Sequence, residues 1–284
     1  MLLQRPAPAK INLGLHILRK RPDGFHDLET VFLAIPWADH LTARPAPTLS
    51  LTCSDPALPT DEHNLCFRAA RVLADHTATP YGAALHLDKH IPYGAGLGGG
   101  SSDAANTLRL LTECWDLDVP EADLHMLAAT LGSDVPFFLG SEAAFATGRG
   151  EILTPLRDPH IGAAYIFPFV LVVIAPAVHV STAEAYGMIR PHDHNRPDLR
   201  ALVCANNLAR WRDALVNDFE GPIFEAHPVL GTLKAGLLEA GAGYAAMSGS
   251  GSALFGVFED AHAAQAAAEA ARRAGHRVWW GRVV

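Results

Sequence analysis

Residues 92 to 102 read Pro92-Tyr93-Gly94-Ala95-Gly96-Leu97-Gly98-Gly99-Gly100-Ser101-Ser102, and this stretch constrains the chain more than any other. Five glycines in seven positions leave a run of backbone almost bare of side chains. A strand-like run from Ala83 to Ile91 precedes it, and helical spacing follows from Asp103 to Trp115, with Ala104, Leu108 and Leu111 facing inward. A loop so placed can turn its N–H groups on an anion, while the next helix adds the positive end of its dipole. The expected ligand is a phosphate chain. The loop is not a Walker A sequence, because no Lys-Ser or Lys-Thr pair follows the last glycine. Nor does an acidic residue close a second strand at the distance a dinucleotide-binding unit requires. A flexible Gly/Ser connector is the alternative, but linkers seldom join a strand to a strong helix start.

The chain has 284 residues, enough for one large domain or two medium ones with cores of their own. About half the residues are apolar (49%) and 18% are charged, which marks a globular chain rather than a disordered one. A net charge of −8 argues against a broad nucleic-acid-binding surface, yet a local patch of amides and lysine can still hold an anionic substrate. Cys53, Cys66, Cys114 and Cys204 are scattered, with no C-x-x-C pair and no histidine at metal-ligand spacing nearby. They read as reduced thiols. No secretory or transit signature precedes Lys10, so a cytoplasmic location is expected. The apolar run Phe167 to Ala177 is too short for a bilayer and is broken by prolines, so it reads as a buried strand.

Along the chain, Ile11, Leu13, Leu15 and Ile17 alternate with Lys10, Asn12, Gly14 and His16, which predicts a half-buried strand over Ala9 to Leu18. Pro22-Asp23-Gly24 predicts a turn, and Leu28 to Ile35 the returning strand. Leu41 to Arg44 and Leu49 to Cys53 are further strand candidates. Asn64 caps a helix expected to run to His76, with Leu65, Ala69, Val72 and Leu73 on its buried face. Pro120 opens another helix that Gly132 ends. Strands are expected at Ala143 to Thr147 and Val170 to Ala175, and Ser181-Thr182-Ala183-Glu184 is a capping box. The remainder reads helix, helix, strand (Ala253 to Phe258), helix (Ala261 to Ala274), strand (Arg277 to Trp280). Strands and helices mixed without strict alternation predict an α+β protein. Gly, Pro and charge cluster between Gly148 and Pro159, which divides the chain into expected domains 1–150 and 151–284.

Three further features carry chemistry. Ser248-Gly249-Ser250-Gly251-Ser252 lies just before a strand-like run, and two glycine-rich elements from different halves of a chain often meet at a ligand. Lys10 stands beside Asn12 on one strand face; it is either a solvated surface charge or a functional cation. Asp134, in Gly132-Ser133-Asp134-Val135-Pro136, is either a turn cap or a carboxylate placed to act as a base.

Together, the phosphate loop, the Lys10 strand, the Asp134 turn and the late Gly-Ser cluster resemble the three motifs of the GHMP kinases. Pro8-Ala9-Lys10-Ile11-Asn12-Leu13-Gly14, with Arg21-Pro22-Asp23-Gly24-Phe25-His26 and Leu28-Glu29-Thr30-Val31-Phe32, is similar to the branch that acts on a cytidine-diphosphate-linked methylerythritol. The resemblance implies a two-lobed fold, with an N-terminal nucleotide-binding lobe, a C-terminal ferredoxin-like α/β lobe and an active site in the cleft between. It implies ATP and Mg²⁺ as cofactors, a small-molecule substrate, no nucleic-acid or membrane partner, and a monomer or weak homodimer. It also implies that Lys10 and Asp134 flank the hydroxyl to be phosphorylated, with Asp134 as base and Lys10 neutralising charge. Pro92 to Ser102, with Asn64, would hold the nucleotide, Ser101 or Ser102 touching phosphate or metal. Asn12 would hydrogen-bond the methylerythritol part and Thr182 would lie near the diphosphate or polyol. His26 would read the cytosine edge, with Phe25 and Tyr186 covering the ring. The family often has Tyr at Phe25, so stacking is kept and a phenol hydrogen bond is lost. Taken alone, Phe25 and Tyr186 read first as core aromatics, and His26 as a turn histidine.

Overall fold

A computed structural model describes residues 2–79, 82–140 and 143–283. The chain divides into two compact units that are interleaved in sequence. The first takes Met1–Ala9, Ile35–Tyr93 and Gly98–Ser141; the second takes Lys10–Ala34, Gly94–Leu97 and Glu142–Val284. Two long strands, β1 (Leu3–Lys20) and β2 (His26–Ala46), pair with each other and contribute residues to both units.

In the first unit, the end of β2 runs antiparallel to β4 (Gly82–Asp88), with His40 opposite Asp88, and β3 (Ser50–Cys53) lies parallel to β4. Three longer helices, α1 (Leu65–Thr77), α2 (Gly99–Cys114) and α3 (Glu121–Leu131), pack against one another, and a single turn, α4 (Phe137–Gly140), packs on α2. The start of α1 follows its cap: Asn64 Oδ1 accepts the Cys66 N–H at 2.9 Å. Its end follows from Ala78, whose left-handed backbone (φ 49°) returns its N–H to the last turn. The buried side of α1 is Cys66, Ala69, Ala70 and Leu73, so Leu65 and Val72 sit further out than helical spacing alone predicts.

In the second unit, β5 (Ala144–Thr147) pairs antiparallel with Thr30–Phe32 of β2, and β6 (Ile152–Pro155) pairs with β5. A four-stranded antiparallel sheet follows in the order β10 (Arg277–Arg282), β7 (Val170–Ala175), β9 (Leu254–Phe258), β8 (Tyr244–Met247). Six helices are described in this unit: α5 (Thr182–Met188), α6 (Leu199–Cys204), α7 (Leu208–Ala214), α8 (Glu220–Ala226), α9 (Pro228–Glu239) and α10 (Ala261–Arg273), the last covering β7, β9 and β10. Ala264, Ala267, Ala268 and Ala271 form the inner stripe of α10, and their small side chains let it lie close to the sheet. Leu15, Ile17, Val172, Phe219, Met247, Leu254 and Phe258 share one core.

Three expectations are corrected. Leu28 to Ile35 and Leu41 to Arg44 are one strand, β2, with Pro36 between the stretches that pair with β5 (Thr30–Phe32) and β4 (His40–Ala46). β6 and β8 were not anticipated, being four residues each beside glycine-rich turns. And β1 is not half-buried: every residue from Ala9 to Ile17 is buried, on both faces. No helix among the described residues is long and apolar enough to cross a membrane.

The second face of β1 places His16 in the interior at 0% exposure, with neither ring nitrogen hydrogen-bonded. Burial first, then nearby Arg196, pushes its pKa from 6.5 down to about 4. The unfolded chain therefore takes up a proton near pH 6.5 that the folded chain refuses until about pH 4, and stability falls as pH drops through that window. Denaturant unfolding should show a loss on the order of 2–3 kcal/mol between pH 7 and 4 that His16→Leu removes. Equal pH profiles for the two proteins would rule this out.

Candidate active site

The glycine loop ends sooner than its composition suggests. Gly98, in a left-handed conformation (φ 70°), is the N-cap of α2, so Gly99, Gly100, Ser101 and Ser102 already form its first turn. No side chain caps this end and no acidic residue stands in the first turn. A sixteen-residue helix thus begins with amides directed at whatever anion meets it.

The front of the loop is braced by the late Gly-Ser cluster. Ala253 N–H donates to Ala95 O at 3.0 Å, and Ser248 Oγ donates to Gly96 O at 2.9 Å. Lys10 N–H donates to Leu97 O at 2.9 Å. At Gly96 (φ 76°) a Cβ would lie 2.2 Å from the Ser248 carbonyl oxygen, a backbone atom that cannot swing aside. Gly96→Ala should therefore cost about 2–4 kcal/mol, whereas Gly100→Ala, which meets only Leu65 Cδ1 at 3.7 Å, should leave stability close to wild type. Thermal unfolding compares them, and coincident midpoints would refute the close-approach argument. Asn217, missed in the sequence, ties the cluster down: its Nδ2 donates to the carbonyls of Met247 and Gly249, both at 2.8 Å.

Lys10 is 4% exposed, so it is no surface charge. Its Nζ donates to Asn12 Oδ1 at 2.6 Å and sits 5.1 Å from the Phe32 ring centroid. Asn12 Nδ2 donates to Thr30 Oγ1 at 3.0 Å, which in turn donates to Gly14 O at 2.6 Å. This buried chain fixes the ammonium in one place, and Thr30 is its unforeseen anchor. In the other unit, Asp134 is half-buried in the turn joining α3 to α4, where Val135 N–H donates to Gly132 O at 3.2 Å.

His26 and Tyr186 stack at 4.9 Å with 22° between planes, and Phe219 meets Tyr186 edge-on at 4.9 Å. Phe25 is 52% exposed and carries the Arg149 guanidinium 5.0 Å from its ring centroid. Burial, then Lys20, lowers the His26 pKa, so the ring is neutral near pH 7 and offers one donor and one acceptor. Thr182 is exposed, with Oγ1 3.3 Å from Ser250 Oγ, so the structure joins it to the Gly-Ser cluster. Asn64 spends its side chain on the α1 cap and on Pro59 O at 2.8 Å. Of the loop serines, Ser102 is fully buried and Ser101 only partly. Among the described residues no group of three His, Cys, Asp or Glu is placed to hold a metal ion. A cavity lined by Arg212, Glu220, Lys234 and Tyr244 contains none of the residues singled out above.

Comparison with known proteins shows the family. The family described as "GHMP kinases N terminal domain" matches residues 64–142, and "GHMP kinases C terminal" matches residues 199–277. The chain is 54% identical to the 4-diphosphocytidyl-2-C-methyl-D-erythritol kinase of Salinibacter ruber, over 94% of each chain. It is 47% identical to the enzyme of that name from Chlorobium phaeobacteroides, over 92% of this chain and 90% of the other. A crystal structure of 4-(cytidine 5'-diphospho)-2C-methyl-D-erythritol kinase superposes with a TM-score of 0.82 at 39% identity, covering 98% of both chains. Homoserine kinase from Cytophaga hutchinsonii shares the fold alone, at TM-score 0.71 and 18% identity. A glycine-rich loop opening a helix, a buried lysine on its strand and near full-length identity at this level leave one assignment: the chain belongs to the GHMP kinases, in their 4-diphosphocytidyl-2-C-methyl-D-erythritol kinase family.

Proposed function

We propose that this protein transfers the γ-phosphoryl group of ATP to the 2-hydroxyl of 4-diphosphocytidyl-2-C-methyl-D-erythritol, in the non-mevalonate route to isoprenoid precursors. The observation that carries the reading is the 54% identity to a kinase of that name over 94% of the chain. Phosphoryl transfer asks a protein mainly for positioning and for stabilisation of charge on the transferred group. In this reading the amides from Gly96 to Ser102 receive the phosphates, the free start of α2 adds its dipole, and Asn64 lies toward the nucleotide base. Asp134 accepts the hydroxyl proton as the oxygen attacks, and Lys10, held by Asn12 and Thr30, offsets the negative charge that develops. Asn12 and Thr182 contact the polyol and diphosphate, and Phe25, His26 and Tyr186 take the cytosine.

Mg²⁺ fits such a site as an ion carried chiefly by phosphate oxygens and water, since among the described residues no group of three His, Cys, Asp or Glu is placed to hold it, and Ser101 and Asp134 would each offer it an oxygen. Bound there, it would neutralise charge on the transferred group. We also propose 1–150 and 151–284 as the bounds of the two family domains, each containing one family match. A cytoplasmic monomer or weak homodimer completes the reading. The test is ADP release with the cytidine substrate against mevalonate, homoserine and galactose. Turnover of the cytidine substrate alone supports it; release of ADP only with one of the others overturns it.

A further inference from the structure

The most enclosed charges outside the chemistry above are Asp39, Lys89 and Asp103, whose side chains are 0%, 5% and 4% exposed. They come from β2, the residue just after β4, and α2. Lys89 Nζ bridges the two acids, at 2.5 Å from Asp39 Oδ2 and 2.8 Å from Asp103 Oδ2. The other Asp39 oxygen accepts the backbone N–H groups of His90 (2.5 Å) and Ile91 (2.7 Å). The same cluster therefore grips the chain entering the glycine loop and the helix leaving it. It also lies directly beneath the helix start: a Cβ on Gly99 would fall 3.1 Å from Ile91 Cγ2 and 3.4 Å from Lys89 Nζ.

Stability does not account for this arrangement. Removing three charges from water costs about as much as their attraction returns. Asp103 Oδ1 is buried with no hydrogen-bond partner, a further cost. Burial raises the Asp103 pKa, and Lys89 opposes that rise. What an ion cluster supplies that an apolar core does not is a single geometry, because its bonds have length and direction.

We infer that Asp39, Lys89 and Asp103 are positioning residues that fix the chain entering the phosphate loop, at His90 and Ile91, to the start of α2, and so tune nucleotide affinity without touching the nucleotide. The inference rests on reading Gly96–Ser102 as the phosphate site, but not on the identity of the acceptor alcohol.

The pair Lys89→Met/Asp103→Asn removes one charge of each sign, keeps side-chain volume, and leaves Asp39 with its two amide donors. By calorimetry with a non-hydrolysable ATP analogue and Mg²⁺, this variant should bind about tenfold more weakly, while affinity for the cytidine substrate stays within about twofold of wild type. Wild-type nucleotide affinity in the variant would overturn the inference, as would equal losses for both ligands, which mark general damage. Should the pair fail to fold, Asp103→Asn alone decides: its amide oxygen can still accept from Lys89, so nucleotide binding should weaken by about threefold at an unchanged melting temperature, and no change sinks the idea. A wild type that binds no nucleotide at all would instead remove the kinase reading itself.

Discussion

Asp134→Asn is expected to lower kcat by roughly a hundredfold or more while the KM values for ATP and the cytidine substrate stay close to wild type. Asparagine matches the shape of aspartate, and the turn that holds the residue is made by backbone bonds on either side of it, so the fold should persist. What is lost, in the proposed role, is the acceptor for the hydroxyl proton, together with one negative charge. Lys10→Met should act in the same direction. Its four-carbon stem is replaced by an apolar chain of similar length, and Asn12 keeps its bond to Thr30. If base and cation serve one step, as proposed, the double variant should lose less than the sum of the two singles. Steady-state kinetics at saturating substrates decide the matter. Turnover of Asp134→Asn within a few-fold of wild type would remove the base from this residue.

Exchanging cytosine for uracil in the substrate should reduce kcat/KM by on the order of a hundredfold. Cytosine presents an amino donor beside a ring-nitrogen acceptor, and uracil presents the reverse. A neutral His26, stacked on Tyr186 and half-buried, has one donor and one acceptor, and its tautomer is set by its surroundings. A mismatched base leaves polar groups unpaired in a partly desolvated site, which costs more than a weakened contact. His26→Ala should lower use of the cytidine substrate and narrow the gap between the two, with ATP affinity as in wild type. Equal use of both substrates by the wild type would end the cytosine assignment and leave the proposed role of Asp134 as base untouched.

The features legible in the sequence are those set by near neighbours. The cap of α1 at Asn64, the cap of α5 at Ser181, and the helix after the glycine loop all follow from residues within four positions of one another, where local hydrogen bonds and backbone preference dominate. The family pattern around Lys10, Phe25-His26 and Gly94–Ser102 is legible for the same reason, since each motif is contiguous.

Only the tertiary structure decided what lies on the second face of β1, which turns Lys10 from a possible surface charge into a buried one and encloses His16. It alone decided that Gly96 meets Ser248, that His26 meets Tyr186, and that Asp39, Lys89 and Asp103 close on one another. The reason is physical. A side chain's burial and its charged partners depend on which distant segments pack over it, and alternation along one strand says only which residues share a face, not whether a second layer covers it.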